Sequence, residues 1–231
     1  MVRSGAVFAA GIVAAAVFAA STAEAPGRAG SSSLWSVGTW VAWPRPASTA
    51  LRAAPGSPQV LATVSRRTQF GNPTSLAVVA VRDGWAEVIS TSLVNGRHGY
   101  VRVANLRLTH TPVAFEVDLS RRLLRVWRSG EVRRAVPVAI GTAVSPTPTG
   151  RFTVTDKLYG FNPAAYGCCI LAPSAHQEHL APGWPGGDRL AIHAGGGAGT
   201  ASSNGCLKAA TDDMRWLMAR VPLGTQIVIH P

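Results

Sequence analysis

A histidine and a cysteine in the C-terminal part of the chain are the residue types of a base and its nucleophile. His193 ends an apolar run, and Cys206 follows the segment Ser203-Asn204-Gly205. A cysteine thiol becomes a strong nucleophile when it loses its proton, which a nearby imidazole can accept. Gly205 allows a tight turn, so main-chain N–H groups beside Cys206 can face the oxyanion of a tetrahedral intermediate. The pattern indicates attack of a thiol on a carbonyl carbon.

The same residues admit a purely structural interpretation. Cys206 would then be a small buried hydrophobe and His193 a hydrogen-bonded histidine at a strand end, which is the commoner role for a lone cysteine and a lone histidine. The glycines at 195–197 and 199 do not indicate phosphate binding, because no Gly-Lys-Ser/Thr follows them. Residue types alone leave both interpretations open.

The segment from His193 to Lys208 closely resembles the active-site motif of the L,D-transpeptidase family. That motif is usually a His, a variable Gly-containing loop, then Ser or Thr, His, Gly and Cys. Residues 115–127 resemble the opening hairpin of the same catalytic domain. Gly141 followed by residues 146–152, Pro-Thr-Pro-Thr-Gly-Arg-Phe, is similar to the family's Pro-Thr-Pro-x-Gly-x-Phe signature. These segments follow one another in the family's order.

The resemblance implies a reaction and two roles. In the family the cysteine attacks the carbonyl of a tetrapeptide stem of peptidoglycan and expels D-alanine, after which an amine of a neighbouring stem takes the acyl group. Cys206 would be the nucleophile and His193 the proton acceptor, with the second ring nitrogen held by a backbone carbonyl. No acidic residue is then required beside the histidine, and we expect no cofactor.

Further residues are predicted to bind the oxyanion or the substrate. Asn204 stands where most relatives have His, so its backbone N–H is the group expected to act. Tyr166, with Gly167, resembles the position of an aromatic near the oxyanion, and Lys208 is placed to meet a stem carboxylate as a point charge. The alternatives are a core aromatic and a solvated charge. The full predicted set is Ser203, Asn204, Gly205, Tyr166 and Lys208.

The remaining cysteines and two histidines raise the question of a metal site. Adjacent Cys168 and Cys169 rarely suit one tetrahedral site, and residues 176–179, His-Gln-Glu-His, lack the His-Glu-x-x-His spacing of metalloproteases. We therefore expect no metal, and no zinc on His176 or His179. A vicinal disulfide or two buried thiols are the alternatives for Cys168 and Cys169.

The N-terminus predicts export. Arg3 precedes an apolar run at 6–20 and small residues up to Ala25, which is typical of a signal peptide at residues 1–25. A retained anchor is the alternative, although the run is shorter than the roughly 20 residues that span a bilayer. The net charge of +11 favours anionic partners, which for an exported protein are wall polymers or lipid head groups rather than nucleic acid. The alternative is that the charge only keeps the protein soluble. We expect a protein of the cell envelope.

Two β-rich blocks follow a predicted linker at 26–33, so the predicted fold class is mainly β. Residues 34–110 resemble a small SH3-like barrel with turns at Asp83-Gly84 and Asn95-Gly96. Residues 113–230 predict a β-sandwich-like catalytic domain with one helix that is capped by Thr211. The predicted strands are 60–64, 76–82, 85–90 and 99–103 in the first block, then 115–119, 123–127, 132–140, 150–157, 190–193 and 226–229.

The predicted function is therefore that of an exported peptidoglycan L,D-transpeptidase. An L,D-carboxypeptidase differs only in that water takes the acyl group. The alternative from another class is a non-catalytic peptidoglycan-binding protein that uses the SH3-like module and the basic surface. The Cys206 and His193 pair argues against that alternative, because a binding module has no need for a thiol there.

The restart of the β pattern near Val113 generates a prediction about domain independence. A fragment of residues 113–231 should fold without residues 34–108, because the second block has its own alternating strands and helix. Near-UV circular dichroism of the fragment should show fixed aromatic packing. An insoluble or molten fragment would contradict the two-domain division.

Overall fold

The computed structural model describes residues 31–231. The predicted signal peptide at 1–25 and most of the predicted linker lie outside these residues. Residues 31–33 of that linker belong to helix α1, Ser31–Val37, so the fold begins earlier than the sequence predicts. Within 31–231 no helix combines the length and apolar character that crossing a bilayer requires.

The N-terminal half is one antiparallel sheet. Its strands are β1 Thr39–Pro44, β2 Ser48–Arg52, β3 Val60–Ser65, β4 Leu76–Arg82, β5 Trp85–Ile89, β6 Gly99–Arg102 and β7 Leu106–Thr111, with a 3-10 turn at Val103–Asn105. They lie in the order β3-β2-β6-β5-β4-β1-β7. Asp83 and Gly84 have φ values of 48° and 75°, as the predicted two-residue hairpin between β4 and β5 requires. The likeness to SH3-like modules stays a prediction.

Three strands of this sheet have no counterpart among the predicted strands. β1 pairs along its whole length with β7, from Thr39 opposite Thr111 to Pro44 opposite Leu106. β2 pairs with β3 and with Tyr100 of β6. Strand stability arises from cross-strand packing, so β1 and β7, whose partners are distant in sequence, leave a weak local pattern.

The C-terminal half is built on an eight-stranded sheet. Its order is β10-β9-β8-β17-β12-β13-β14-β16, and a small parallel pair joins β11 to β15. The strands are β8 Val113–Asp118, β9 Leu123–Arg128, β10 Glu131–Pro137, β11 Ile140–Gly141, β12 Gly150–Tyr159, β13 Cys169–Pro173, β14 Ile192–Ala194, β15 Ala201–Ser203, β16 Leu207–Ala209 and β17 Gln226–His230. The mainly β prediction is confirmed.

Helices complete this half. The short α2, Pro163–Tyr166, precedes β13, and α3, Thr211–Arg220, buries Met214, Leu217 and Met218 in the core. The predicted helix start is shifted by one residue, because extended Ala210 is the N-cap and Thr211 is already helical. The methyl side chain of Ala210 cannot accept a capping hydrogen bond, whereas Asp212 and Asp213 in the first turn interact favourably with the helix dipole.

The two halves make buried contacts with each other. Gln226 at the start of β17 donates its side-chain amide to Val78 O at 3.2 Å and its backbone N–H to Thr39 Oγ1 at 3.1 Å. On α1, Trp35 stacks on Trp127 of β9 at 5.7 Å between ring centroids. The N-terminal half thus contributes partners to buried polar groups of the C-terminal half.

Gly224 of the C-terminal half packs against Val41 of the N-terminal half and generates a prediction. It has a φ of +81°, and an added Cβ would overlap both methyl groups of buried Val41. Gly224→Ala should lower the free energy of unfolding by about 1–3 kcal/mol more than a matched glycine does, because the core has no room for the methyl group. The measurement is chemical denaturation of the full chain.

Gly56→Ala is the matched control, because Gly56 has a similar φ of +73° with nothing within 4 Å of an added Cβ. That variant carries the backbone strain without the clash. Equal losses in the two variants would contradict the packing described for Gly224.

Candidate active site

Parallel strand pairing brings the predicted nucleophile and base together. β14 and β16 are neighbours, with His193 opposite Lys208 and Ile192 opposite Leu207. Cys206 immediately precedes β16, so it lies next to the end of the strand pair at which Ile192 and Leu207 are paired. Both side chains line one cavity of about 640 Å³, a size suited to a small ligand.

The walls of this cavity come from several separate segments. Beside Cys206 and His193 stand the predicted residues Tyr166, Ser203, Asn204 and Lys208. The opposite side is formed by exposed apolar residues and by a loop of the N-terminal half. The residues of that side include Gln69, Phe70, Phe161, Leu180 and Trp184.

His193 is held as a neutral imidazole. It is 5% exposed, and its Nδ1 lies 2.9 Å from the carbonyl oxygen of Ala194. Burial lowers the pKa of His193 and the Lys208 charge adds to this effect, whereas hydrogen bonds to the backbone carbonyls of Ala194 and Tyr166 oppose it. An Nδ1–H that donates to the Ala194 carbonyl leaves the lone pair on Nε2.

Cys206 is held mainly as a thiol rather than as a resting thiolate. Burial raises the pKa of Cys206, while a backbone hydrogen bond from Ala191 and the Lys208 charge work in the opposite direction. The described structure therefore provides no strong preformed thiolate. A thiol has to give up its proton before or as it attacks a carbonyl, and the imidazole of His193 lines the same cavity.

The turn before Cys206 uses its own polar groups for support. Gly205 has a φ of +103°, its N–H donates to Ser203 Oγ at 3.1 Å, and Ser203 Oγ donates to Cys206 O at 2.6 Å. The Ser203 hydroxyl and the Gly205 N–H are thus engaged inside the turn. The oxyanion donors are expected to be the backbone N–H groups of Asn204 or Cys206.

Two residues that the sequence analysis did not assign to the site hold this turn. Thr147 Oγ1 donates to Gly205 O at 2.8 Å and accepts the Gly141 N–H at 2.8 Å. Gln177 is 7% exposed, and its Nε2 donates to Pro146 O at 3.1 Å and Asn204 O at 3.2 Å. The place of Thr147 in the Pro-Thr-Pro signature could have indicated its role. Gln177 lies between the two histidines, and no motif in the sequence indicated a role for it.

Gln177 also explains why a glycine precedes the nucleophile. A Cβ on residue 205 would overlap the Gln177 amide nitrogen, and the positive φ of Gly205 is a conformation that other residues rarely adopt. Any larger residue at 205 would therefore displace the amide that supports the Asn204 carbonyl.

Tyr166 and Lys208 lie where the sequence analysis placed them, although their roles stay predictions. The Tyr166 ring meets the His193 ring edge-on, with 5.0 Å between centroids, and burial raises the pKa of Tyr166. Lys208 Nζ donates to Ser202 O at 3.2 Å at the mouth of the cavity. Its alkyl chain passes over Gly195, where an added Cβ would lie 3.1 Å from Lys208 Cδ.

Cys168, Cys169 and His176 have structural partners. Cys168 and Cys169 form a disulfide, so the alternative of two buried thiols is wrong, and Cys206 is the free cysteine. His176 Nδ1 lies 2.9 Å from Asp188 Oδ2, and its Nε2 lies 2.8 Å from Thr91 O, so both ring nitrogens are engaged. Across residues 31–231 no group of three or more His, Cys, Asp or Glu side chains is arranged to hold a metal.

Known structures resemble this fold at low sequence identity. An L,D-transpeptidase from Mycobacterium smegmatis is 20% identical with a TM-score of 0.41, and the match covers 66% of this chain and 69% of that one. One from Mycobacterium tuberculosis H37Rv is 16% identical with a TM-score of 0.43, covering 71% and 75%. The Enterococcus faecium L,D-transpeptidase catalytic domain is 21% identical with a TM-score of 0.38, covering 53% and 100%.

A search of curated proteins gave no match. The sequence model of the YkuD family, the L,D-transpeptidase catalytic domain, matches residues 112–229, about half of the chain. That span contains β8 to β16, all of β17 except His230, both Cys206 and His193, and the Thr147 and Gln177 supports. The chain belongs to the L,D-transpeptidase catalytic domain family.

Proposed function

We propose that this protein is an exported L,D-transpeptidase that joins peptidoglycan stem peptides through a thioester on Cys206. The observation that carries the proposal is the pairing of a thiol and a neutral imidazole in one cavity, with His193 Nδ1 fixed on the Ala194 carbonyl. Export is supported by the pattern of Arg3, the apolar run at 6–20 and the small residues up to Ala25.

The acylation step follows from this geometry. The Cys206 sulfur attacks the carbonyl carbon of the donor stem while His193 Nε2 takes the thiol proton. The backbone N–H groups of Asn204 or Cys206 stabilise the negative oxygen. When the tetrahedral intermediate collapses, the C–N bond to D-alanine breaks, and His193 returns the proton to the leaving amine. A thioester and free D-alanine result.

The second step transfers the acyl group. The amine of an acceptor stem attacks the thioester carbon and loses a proton to His193, and the C–S bond then breaks. The proton returns to sulfur, which restores the Cys206 thiol and the neutral imidazole. Lys208 at the cavity mouth is suited to pairing with a stem carboxylate. The Tyr166 ring limits the movement of the imidazole between the two steps.

The alternatives differ in the fate of the thioester. With water as acceptor the same residues perform L,D-carboxypeptidase chemistry, and without a reactive thiol the protein is a peptidoglycan-binding protein. The buried Gln177 and Thr147 supports favour catalysis, because they fix a strained turn that binding alone does not require. The net charge of +11 favours anionic wall polymers as further partners, and we expect no nucleic acid role.

Incubation with purified muropeptides tests the proposed activity. Mass spectrometry should detect cross-linked dimers together with released D-alanine, because the acceptor amine competes with water for the thioester. Shortened stems without dimers would mean that the protein is an L,D-carboxypeptidase. Unchanged muropeptides would favour the binding protein.

The roles of Cys206 and His193 generate a second prediction. A carbapenem, whose strained ring offers a reactive carbonyl, should form a stable thioester that mass spectrometry locates on Cys206. Cys206→Ser should abolish the adduct, because an alcohol is far harder to ionise than a thiol. His193→Ala should slow acylation by roughly 100-fold or more, the usual size of a general-base contribution.

The double variant Cys168→Ala/Cys169→Ala is the control for labelling at other sulfurs. It removes the disulfide while the Cys206 thiol stays in place, so the adduct should persist if the fold survives. Labelling at Cys168 or Cys169 in the wild type, or an unchanged acylation rate in His193→Ala, would exclude the proposed pair.

A further inference from the structure

A loop of the N-terminal half forms one wall of the active-site cavity. This wall loop, residues 66–73, lies outside the span 112–229 that matches the family. The Thr68 N–H donates to Asn72 O at 2.8 Å, and Arg67 Nη1 donates to Gly71 O at 2.6 Å. Its tip carries Gln69 and Phe70, and both line the cavity that holds Cys206 and His193.

The wall loop is fastened to the C-terminal half by polar contacts with β12. The Thr68 hydroxyl donates to the carboxylate of Asp156, which is completely buried. Asn72 Nδ2 donates to the Lys157 carbonyl at 3.4 Å. A buried carboxylate needs such partners, so separation of the loop from β12 would be costly. The position of Phe70 at the cavity is therefore fixed by the contact between the halves.

Phe70 begins a row of aromatic rings that leads to the catalytic histidine. Phe70 and Phe161 meet edge-on at 6.1 Å, Phe161 and Tyr166 lie 5.9 Å apart, and Tyr166 contacts His193 at 5.0 Å between centroids. Trp184 lines the same cavity. Phe70, Phe161 and Trp184 are 37%, 47% and 39% exposed. Three partly exposed aromatic rings around one cavity are a surface that a ligand is expected to cover.

We propose that Phe70, Phe161 and Trp184 form a saccharide subsite for the glycan that carries the donor stem. The inference rests on the proposed function. A wall stem peptide offers mainly small and charged side chains, which gain little from aromatic rings. A pyranose ring has a face of C–H groups that packs on an aromatic ring while its hydroxyls stay in water or reach polar side chains. The exposed amide of Gln69, next to Phe70, supplies such a polar group.

The subsite makes the N-terminal half part of substrate recognition. Phe161 and Trp184 belong to the catalytic half, whereas Phe70 reaches the cavity only because Thr68 and Asn72 hold the wall loop on β12. The chemistry at Cys206 does not need Phe70. Loss of the Phe70 ring should therefore weaken the binding of sugar-bearing substrate and leave acylation of small molecules unchanged.

The test compares a disaccharide-tetrapeptide with the same tetrapeptide freed of its sugars, using D-alanine release by the full chain. Phe70→Ala should raise KM for the sugar-bearing donor about tenfold, the factor that corresponds to one lost aromatic face. KM for the free tetrapeptide and the rate of carbapenem acylation should stay unchanged. Phe70→Tyr, which keeps the ring, should behave like the wild type.

Trp40→Ala is the matched control, because Trp40 is 44% exposed in the same half, packs on His110 and does not line the cavity. It should change neither KM. An equal rise of KM for both donors in Phe70→Ala, or no rise for either, would overturn the subsite.

Failure of the subsite and failure of the proposed function give different results. If the wild type releases no D-alanine from either donor, the proposed function fails. The subsite is then tested by calorimetry, which measures the binding of the disaccharide-tetrapeptide to Cys206→Ala and to the double variant that also carries Phe70→Ala. About tenfold weaker binding in the double variant would support it, and equal binding would refute it.

Discussion

The parallel pairing of β14 with β16 is the interaction on which the site depends. It places His193 opposite Lys208 and leaves Cys206 directly before β16, so both side chains line one cavity although a loop separates them in the chain. The rest of the C-terminal half serves this pairing. β13 holds the other edge of β14 through the Ile170 and His193 pair, and the apolar core beneath includes Leu171, Ile192 and Leu207. Backbone hydrogen bonds therefore fix the two reactive groups before substrate arrives.

The turn that carries Cys206 depends on its surroundings. Gly205 has a positive φ, which glycine adopts readily and other residues rarely adopt, and the carbonyls of residues 204 and 205 need hydrogen-bond partners once folding removes them from water. The Gln177 amide and the Thr147 hydroxyl satisfy those carbonyls from two separate segments, and Ser203 closes the turn from within. Each of these groups is hydrogen-bonded to main chain, so the turn is tied to the core rather than to solvent.

Burial sets the protonation of the reactive pair. It raises the pKa of Cys206 and lowers the pKa of His193, so both groups rest in their neutral forms. A neutral pair avoids the cost of burying charges in the empty site and creates the imidazolium only when the thiol attacks. The Ala194 carbonyl orients the ring in place of the carboxylate that many catalytic histidines use.

The sequence by itself determined the mainly β class, the strands with local alternation, the Asp83-Gly84 hairpin and the candidate pair Cys206 and His193, because each leaves a pattern within a few residues. Only the tertiary structure decided that β1 pairs with β7, that Gln177 supports the turn before Cys206 and that Phe70 lines the active-site cavity. Those features join segments far apart in the chain, and nothing in the local pattern of either segment specifies its partner. The Cys168 and Cys169 disulfide and the helix start at Thr211 are local features that residue types alone left open. Residue types name the chemistry that is available, whereas packing and buried hydrogen bonds decide which groups meet.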